Sequence, residues 1–470
     1  MALGMAPILA LIFSWCGAST LAASACVARH WGETALRVLW REVDSNQAMH
    51  LFRVLWPEFL PSNGMSGHRV RGNWDRFIYY SSRIRKLALP VTSLDEMSLG
   101  NRVGCDILND VNLFAFTRGR NLFPLLTALK LDICGSASLT AALWLLHPNI
   151  REISLIIHEA SDQHIILALE TIALRCPDLR DMEMHLGYSD MEPDKDIEMM
   201  CTELSGLITS LSHLESLRLA PNMLLNPRVW SAASAKPGLR SLRYVKNDEG
   251  GETFESHQVS PPMQVVRFRP EMFQSLLHLS LSTRFLVAFL LFGLPPTPPA
   301  LQQLELDLSG AAPPDDLQPF LQDLVTNAPL LSEISISLCA ASPHPRMVDI
   351  QPLFTHRIQR LRIQLDLSLD FDNADLSHLA QASPNIIELS LAPDPISSPL
   401  SVPPKLTLDA LPILARFCPK IQILGLYIDT ASGSQTPSTF VEYTFKHLEL
   451  LNIGLHRARI RPRQRCEFAL

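Results

Sequence analysis

The sequence predicts an α/β chain: a small helical unit at the N-terminus, then a solenoid of strand–helix repeats with parallel strands on a concave face and helices on the convex face. Three observations predict it. The spacing L-x-x-L-x-L, with Ile, Met or Tyr replacing some of the leucines, recurs thirteen times between Ile84 and Ile453. Segments of helical period lie between several of the copies. The 470-residue chain is 47% hydrophobic but only 7% aromatic, so its core is built mainly from Leu, which fills equivalent slots in successive layers.

The N-terminal unit comes first. Pro7, Ile8, Leu9, Ile12 and Phe13 open it; Ile8, Leu9, Ile12 and Phe13 are expected on one helical face. Leu21, Ala25 and Val27 are expected to pack on that face, Trp31 and Leu36 to close a small core, and Trp40 to end the unit. The same residues permit another reading. Met5 to Cys16 is apolar and Ala23-Ser24-Ala25 has the look of a signal-peptidase site, although no Lys or Arg precedes Arg29. The apolar run is too short to span a bilayer.

Residues 1–44 resemble the F-box family in Pro7-Ile8-Leu9, Ile12-Phe13, Leu21, the stretch Ala25-Cys26-Val27-Ala28-Arg29-His30-Trp31 and the closing Leu39-Trp40. The match is degenerate: the family's opening Leu-Pro and its Glu are replaced by Met5-Ala6-Pro7. The resemblance implies a Skp-family adaptor, and through it a cullin, bound by an apolar surface that includes Pro7, Ile8, Leu9, Ile12, Phe13, Leu21, Cys26, Val27 and Trp31. On that basis Ile12→Asp and Phe13→Asp are both expected to abolish adaptor binding and leave the repeats folded.

Residues 45–83 connect the unit to the repeats, with a helix expected from Asn46 up to Trp56, where Pro57 stops it. The array, 84–455, holds the thirteen copies at a mean period of about 30 residues, spaced from 24 to 42 apart. The second and third apolar residues alternate with polar ones, as in Leu304-Glu305-Leu306-Asp307-Leu308, so one face is apolar and the other largely polar. Helices are expected at His164–Arg175, Met199–Leu211, Leu317–Thr326 and Leu408–Phe417, and Phe285–Leu294 as a buried convex helix.

Several strands follow a Pro at a fixed offset: Pro148-Asn149-Ile150, Cys176-Pro177-Asp178-Leu179, Pro237-Gly238-Leu239, Pro384-Asn385-Ile386 and Cys418-Pro419-Lys420-Ile421. Pro stops the helix and presets an extended entry to the strand. Cys176 and Cys418 occupy equivalent slots and are expected to be buried, structural thiols. This arrangement resembles the divergent leucine-rich repeats of F-box proteins from fungi. Polar insertions stand at Tyr188–Asp196, Lys246–Pro262 and Ala392–Pro404. A basic tail, 456–470, places arginine at alternate positions, as an edge strand or a solvated extension. No polar terminal cap is evident after the last copy.

Chemistry is sparsely signalled. Gly is scarce at 20 and Pro plentiful at 35, and no phosphate-binding loop, G-x-S-x-G elbow or H-E-x-x-H helix occurs. Nine cysteines without a C-x-x-C pair suggest reduced thiols, a cytoplasmic or nuclear setting, and no metal or cofactor. His158-Glu159 reads as a surface turn, and Glu192, Asp194 and Asp196 lack calcium-loop spacing. The net charge of −7 gives no support to a nucleic-acid binder. No catalytic residues, small-molecule substrate or membrane partner are expected. The function implied by the resemblance is a non-catalytic substrate receptor of an SCF-type ubiquitin ligase with a protein target. A repeat-only interaction scaffold, or a secreted leucine-rich-repeat recognition protein if residues 1–25 are a signal peptide, are the rival readings.

Overall fold

The computed structural model describes residues 5–55, 73–92, 103–119, 121–187, 195–245, 268–293, 297–312, 316–340, 345–365, 369–393, 404–429, 444–454 and 456–459. The chain forms two compact units, Met1–Lys236 and Pro237–Leu470.

The first unit opens with three helices, α1 (Met5–Phe13), α2 (Ala18–Ala25) and α3 (Arg29–Leu39). There follow β1 (Glu42–Val43), α4 (Ser45–Arg53), α5 (Trp74–Ser81), β2 (Lys86–Thr92), β3 (Val103–Gly104) and α6 (Cys105–Arg118). Then β4 (Ala128–Cys134), α7 (Ser136–Ala142), β5 (Glu152–His158), α8 (Asp162–Arg175), β6 (Asp181–Gly187), α9 (Lys195–Ser210), β7 (Ser216–Leu219), α10 (Pro221–Leu224) and α11 (Pro227–Ser234) complete it. Strands β1, β2, β4, β5, β6 and β7 lie side by side in chain order, all parallel, and β3 joins the end of β2.

The second unit continues with β8 (Ser241–Tyr244), β9 (His278–Arg284), α12 (Phe285–Phe292), β10 (Gln303–Ala312), α13 (Leu317–Asn327), β11 (Glu333–Ala340) and α14 (Met347–Ile350). It ends with β12 (Arg360–Leu365), α15 (Asn373–Ala382), β13 (Glu388–Leu391), α16 (Ala410–Phe417), β14 (Ile423–Leu426), β15 (Leu450–Ile453) and β16 (His456–Arg459). Strands β8 to β15 are again parallel and consecutive; β16 alone returns antiparallel along β15, after Gly454 at φ 57°.

Each of the thirteen apolar repeats falls on a strand, and the pairing keeps equivalent residues abreast. In the first unit Leu87, Leu129, Ile153, Met182 and Leu217 form one row. In the second, Leu242, Leu279, Leu304, Ile334, Leu361, Leu389, Leu424 and Leu451 form another. All but Leu451 are buried. A slip of one residue would turn a whole row to solvent, which is why the pattern specifies the register. Burying one such side chain contributes roughly 1.5–3 kcal/mol.

The entry to each strand is also repeated. Residues Cys176, Ala328, Ser383 and Cys418 end their helices with φ between −127° and −113° and ψ between 57° and 75°. Each is followed by Pro, and the amide three residues on donates back to its carbonyl, as Leu179 to Cys176 at 3.2 Å and Ile421 to Cys418 at 3.3 Å. Ala328-Pro329-Leu330-Leu331 is a further member of this set, with Ala in the place of Cys. At most strand entries two successive amides then share one carbonyl of the previous repeat: Arg151 and Glu152 donate to Thr127, and Ser332 and Glu333 to Gln302.

Some expectations are corrected. The helix placed at Asn46 to Trp56 is α4, which starts at Ser45 under a capping box of Asp44 and Gln47 and ends at Arg53. Trp56 to Leu60 lie outside the described residues. Helix α12 buries Phe285, Ala288, Leu291 and Phe292 but leaves Leu286 exposed, so it is not buried all round. The insertions at 188–194, 246–262 and 394–403, and tail residues 460–470, also lie outside the described residues.

Candidate functional site

Helices α1, α2 and α3 enclose a core of their own: Leu9, Phe13, Leu21 and Ala35 are buried, with Cys16, Ala25, Trp31, Val38 and Leu39 packed against them. The Phe13 and Trp31 rings meet edge to face at 5.9 Å. Gly32 lets α3 approach α2, because a Cβ there would stand 2.8 Å from the Ala25 carbonyl oxygen. Pro7 sits in the first turn of α1, where its missing N–H leaves no helical bond unmade.

The expected single apolar face does not exist. Leu9 and Phe13 point inward, while Ile8 and Ile12, one position earlier in each pair and so about 100° round the helix, point to solvent. Of the nine residues assigned to adaptor binding, Leu9, Phe13 and Leu21 are buried core and Trp31 is half-buried. Pro7, Ile8, Ile12, Cys26 and Val27 are exposed. Val27 therefore does not pack on the core as expected, and Val38 and Leu39 help close the core in place of Leu36.

The outward residues are nevertheless apolar. Ile8, Leu11, Ile12 and Trp15 follow one another at helical spacing, and Trp15 is 87% exposed. The turn continues past α1, since Trp15 N–H donates to the Ile12 carbonyl at 3.2 Å. Val27 stands exposed at the α2–α3 junction. Leu11 and Trp15 were not among the expected residues; the i, i+3, i+4, i+7 spacing from Ile8 could have found them, but α1 is apolar all round, so periodicity could not choose a side. A helix with apolar residues on both its core and solvent sides signals a second burial surface.

The polar residues of the strands form another surface. In the first unit an open groove of about 710 Å³ runs across β2, β4, β5, β6 and β7. Lys86 pairs with Glu42 at 3.5 Å and Arg218 with Glu183 at 2.8 Å. Glu152 and Asp181 face each other across β5 and β6, and burial pushes the Asp181 carboxyl above its usual value, against the hydrogen bond from Ser216. In the second unit Arg360 pairs with Glu333 at 3.5 Å, and Arg362 with the buried Glu388.

Burial pushes the Cys176, Cys201 and Cys418 thiols up to about 12, so they are poor nucleophiles. The Cys176 thiol donates to the His147 carbonyl, and that of Cys418 to Ala380 and Ser383. His158 lies 3.4 Å from Asp132, and Glu159 adopts φ 55° in a turn. Glu192 and Asp194 lie outside the described residues. Among the described residues no group of three or more His, Cys, Asp or Glu side chains could hold a metal, and no helix is long and apolar enough to cross a membrane.

No family model matches the sequence. No curated protein matches it either. Among solved structures the chain is similar to a complex of Rad7 and Elc1 from yeast, at 14% identity, with a TM-score of 0.41, over 87% of this chain and 93% of that one. A likeness of that degree carries no argument about fold or function.

Proposed function

We propose that the chain is a substrate receptor of an SCF-type ubiquitin ligase. The observation that carries this is the solvent-facing row Ile8, Leu11, Ile12 and Trp15, with Val27, on a helical unit that already has a complete core beneath it. A docking partner explains the row, and the F-box resemblance of residues 1–44 names it as a Skp-family adaptor, linked in turn to a cullin. The polar strand faces would hold the target protein. The chain then acts by proximity, raising the effective concentration of target lysines near a charged conjugating enzyme, and supplies no nucleophile, base, metal or cofactor. A setting in cytoplasm or nucleus goes with this reading.

The test is co-purification of the tagged full-length chain, and of its Ile12→Asp and Trp15→Asp variants, with a Skp-family adaptor and cullin. Capture by the wild type and loss in both variants is expected. An intact wild-type chain that captures no adaptor would refute the ligase reading and leave a repeat scaffold. The absent Leu-Pro-x-Glu entry at Met5-Ala6-Pro7 favours that second reading. A chain recovered with its N-terminus at Cys26 would point to secretion.

A further inference from the structure

The three-helix unit and the first repeats have separate cores, so something else must set the angle between them. The backbone joins them at β1: the Arg41 carbonyl accepts from Arg85 at 2.9 Å and Lys86 at 3.0 Å, and β1 runs beside β2. Among the described residues, side chains of α3 and of Trp40 just beyond it add further contacts. Glu33 and Trp40 are seven residues apart, two turns, and both reach the α5 segment.

There, Arg83 Nη2 donates to both carboxylate oxygens of Glu33, at 2.9 and 2.8 Å, and the Tyr79 hydroxyl donates to Glu33 at 2.7 Å. The Arg83 guanidinium lies 3.8 Å from the centre of the Tyr79 ring and also donates to the Tyr79 carbonyl. Trp40 stacks on Tyr80 at 4.8 Å with 20° between the rings. The Arg83 side chain is only 14% exposed. A guanidinium held by a carboxylate, a ring and a carbonyl has given up its rotamer freedom, unlike a typical surface pair. Arg83, with Tyr79 secondarily, holds the Glu33 carboxyl below its usual range, and Glu33 in turn raises the Tyr79 hydroxyl.

We infer that Glu33, Tyr79 and Arg83 are a clamp that fixes the apolar face of the three-helix unit at one angle to the polar face of the first repeats. The clamp rests on the proposed function for its purpose, since a receptor must present target and adaptor in a constant relation, but not for its geometry. It makes these three positioning residues: none of them belongs to the apolar face, and they act by orienting it.

The test is a distance measurement by pulsed electron paramagnetic resonance on the full-length chain. Spin labels are placed through non-natural residues at Thr20 on α2 and Ala137 on α7, both exposed, so that the native thiols are left alone. The wild type should give one narrow distance distribution. Glu33→Gln and Arg83→Gln should broaden it without changing the circular dichroism, and the exchanged pair Glu33→Arg with Arg83→Glu should narrow it again. Tyr79→Phe, which keeps the ring under Arg83, should broaden it less. A broad wild-type distribution, or a narrow one unchanged in Glu33→Gln and Arg83→Gln, would overturn the clamp. Adaptor capture is read separately on the same samples. If the wild type captures none, the proposed function fails while the distances still decide the clamp.

Discussion

Phe13 and Ile12 are neighbours whose substitution should have opposite consequences. Phe13 is 3% exposed and Ile12 is 53% exposed. Phe13→Ala removes a ring from a small core whose buried apolar residues are Leu9, Phe13, Leu21 and Ala35. Truncating a buried Phe costs about 3–5 kcal/mol, and the lost edge-to-face contact with Trp31 about 0.5–1.5 kcal/mol beyond area burial. That is comparable with the whole stability of many domains, roughly 5–15 kcal/mol. Ile12→Asp costs about 0.5 kcal/mol as a surface change, and roughly 0.3–1 kcal/mol for a negative charge near a helix C-terminus. If the outward row binds a partner, the buried carboxylate should cost at least about 2 kcal/mol there, roughly thirtyfold in Kd. The assay is amide hydrogen exchange across residues 5–39 in the full chain, with adaptor titration by calorimetry. Phe13→Ala should lose protection throughout α1, α2 and α3, and Ile12→Asp should keep it while losing adaptor. Equal loss of protection in both variants would refute the assignment of inward and outward faces.

Gly32→Ala should destabilise the three-helix unit by about 1–3 kcal/mol through overpacking against the Ala25 carbonyl, despite a gain of roughly 1 kcal/mol in helix propensity; thermal unfolding followed by exchange in residues 18–39 checks it. Burial lowers the His147 and His278 imidazoles below their usual value, with Arg243 adding to the effect at His278. The unfolded chain therefore binds protons at these sites before the folded one does, so stability is held above the ordinary histidine range and lost as pH falls through it toward the folded values. Melting temperatures from pH 7.5 to 5.5 should fall, and less so in His147→Gln and His278→Gln. Under native conditions a thiol reagent should modify the exposed Cys26, with Cys176, Cys201 and Cys418 reacting only after unfolding, as peptide mass spectrometry would show. Leu361→Ala in the middle of the second unit should cost about 2–5 kcal/mol in urea unfolding, since the side chain is fully buried.

The strands were legible because the pattern specifies register as well as conformation. A row such as Leu279, Leu304 and Ile334 can be buried in only one alignment. Helix α8 was legible for the same reason, with Ile165, Ala168, Leu169 and Ile172 as its buried side. Elements with little sequence of their own were not. The pairs Glu42–Val43 and Val103–Gly104 are strands only because β2 offers them an edge, and α10 and α14 are single turns. The faces of α1 could not be told apart because it is apolar on all sides. The contact of Glu33 with Arg83 spans 50 residues, and no local pattern encodes which distant partner a lone charge will meet.

The shared carbonyls at the strand entries have a consequence for how such a chain can change. Thr127, Arg151 and Arg180 in the first unit, and Leu277, Gln302, Ser332, Gln359 and Ile387 in the second, each receive the next strand at the same two amides. The distance from strand to strand is thus set at these joints and not by the length of the segment between them, which varies from 24 to 42 residues from one repeat to the next. A stretch cut from one joint to the following one is a module. Duplicating Arg151 to Leu179, or excising it, would leave an arginine carbonyl at the joint and present the neighbouring strands with equivalent acceptors. Growth, loss and loop insertion are therefore open to this architecture, while substitutions in the Leu rows are not.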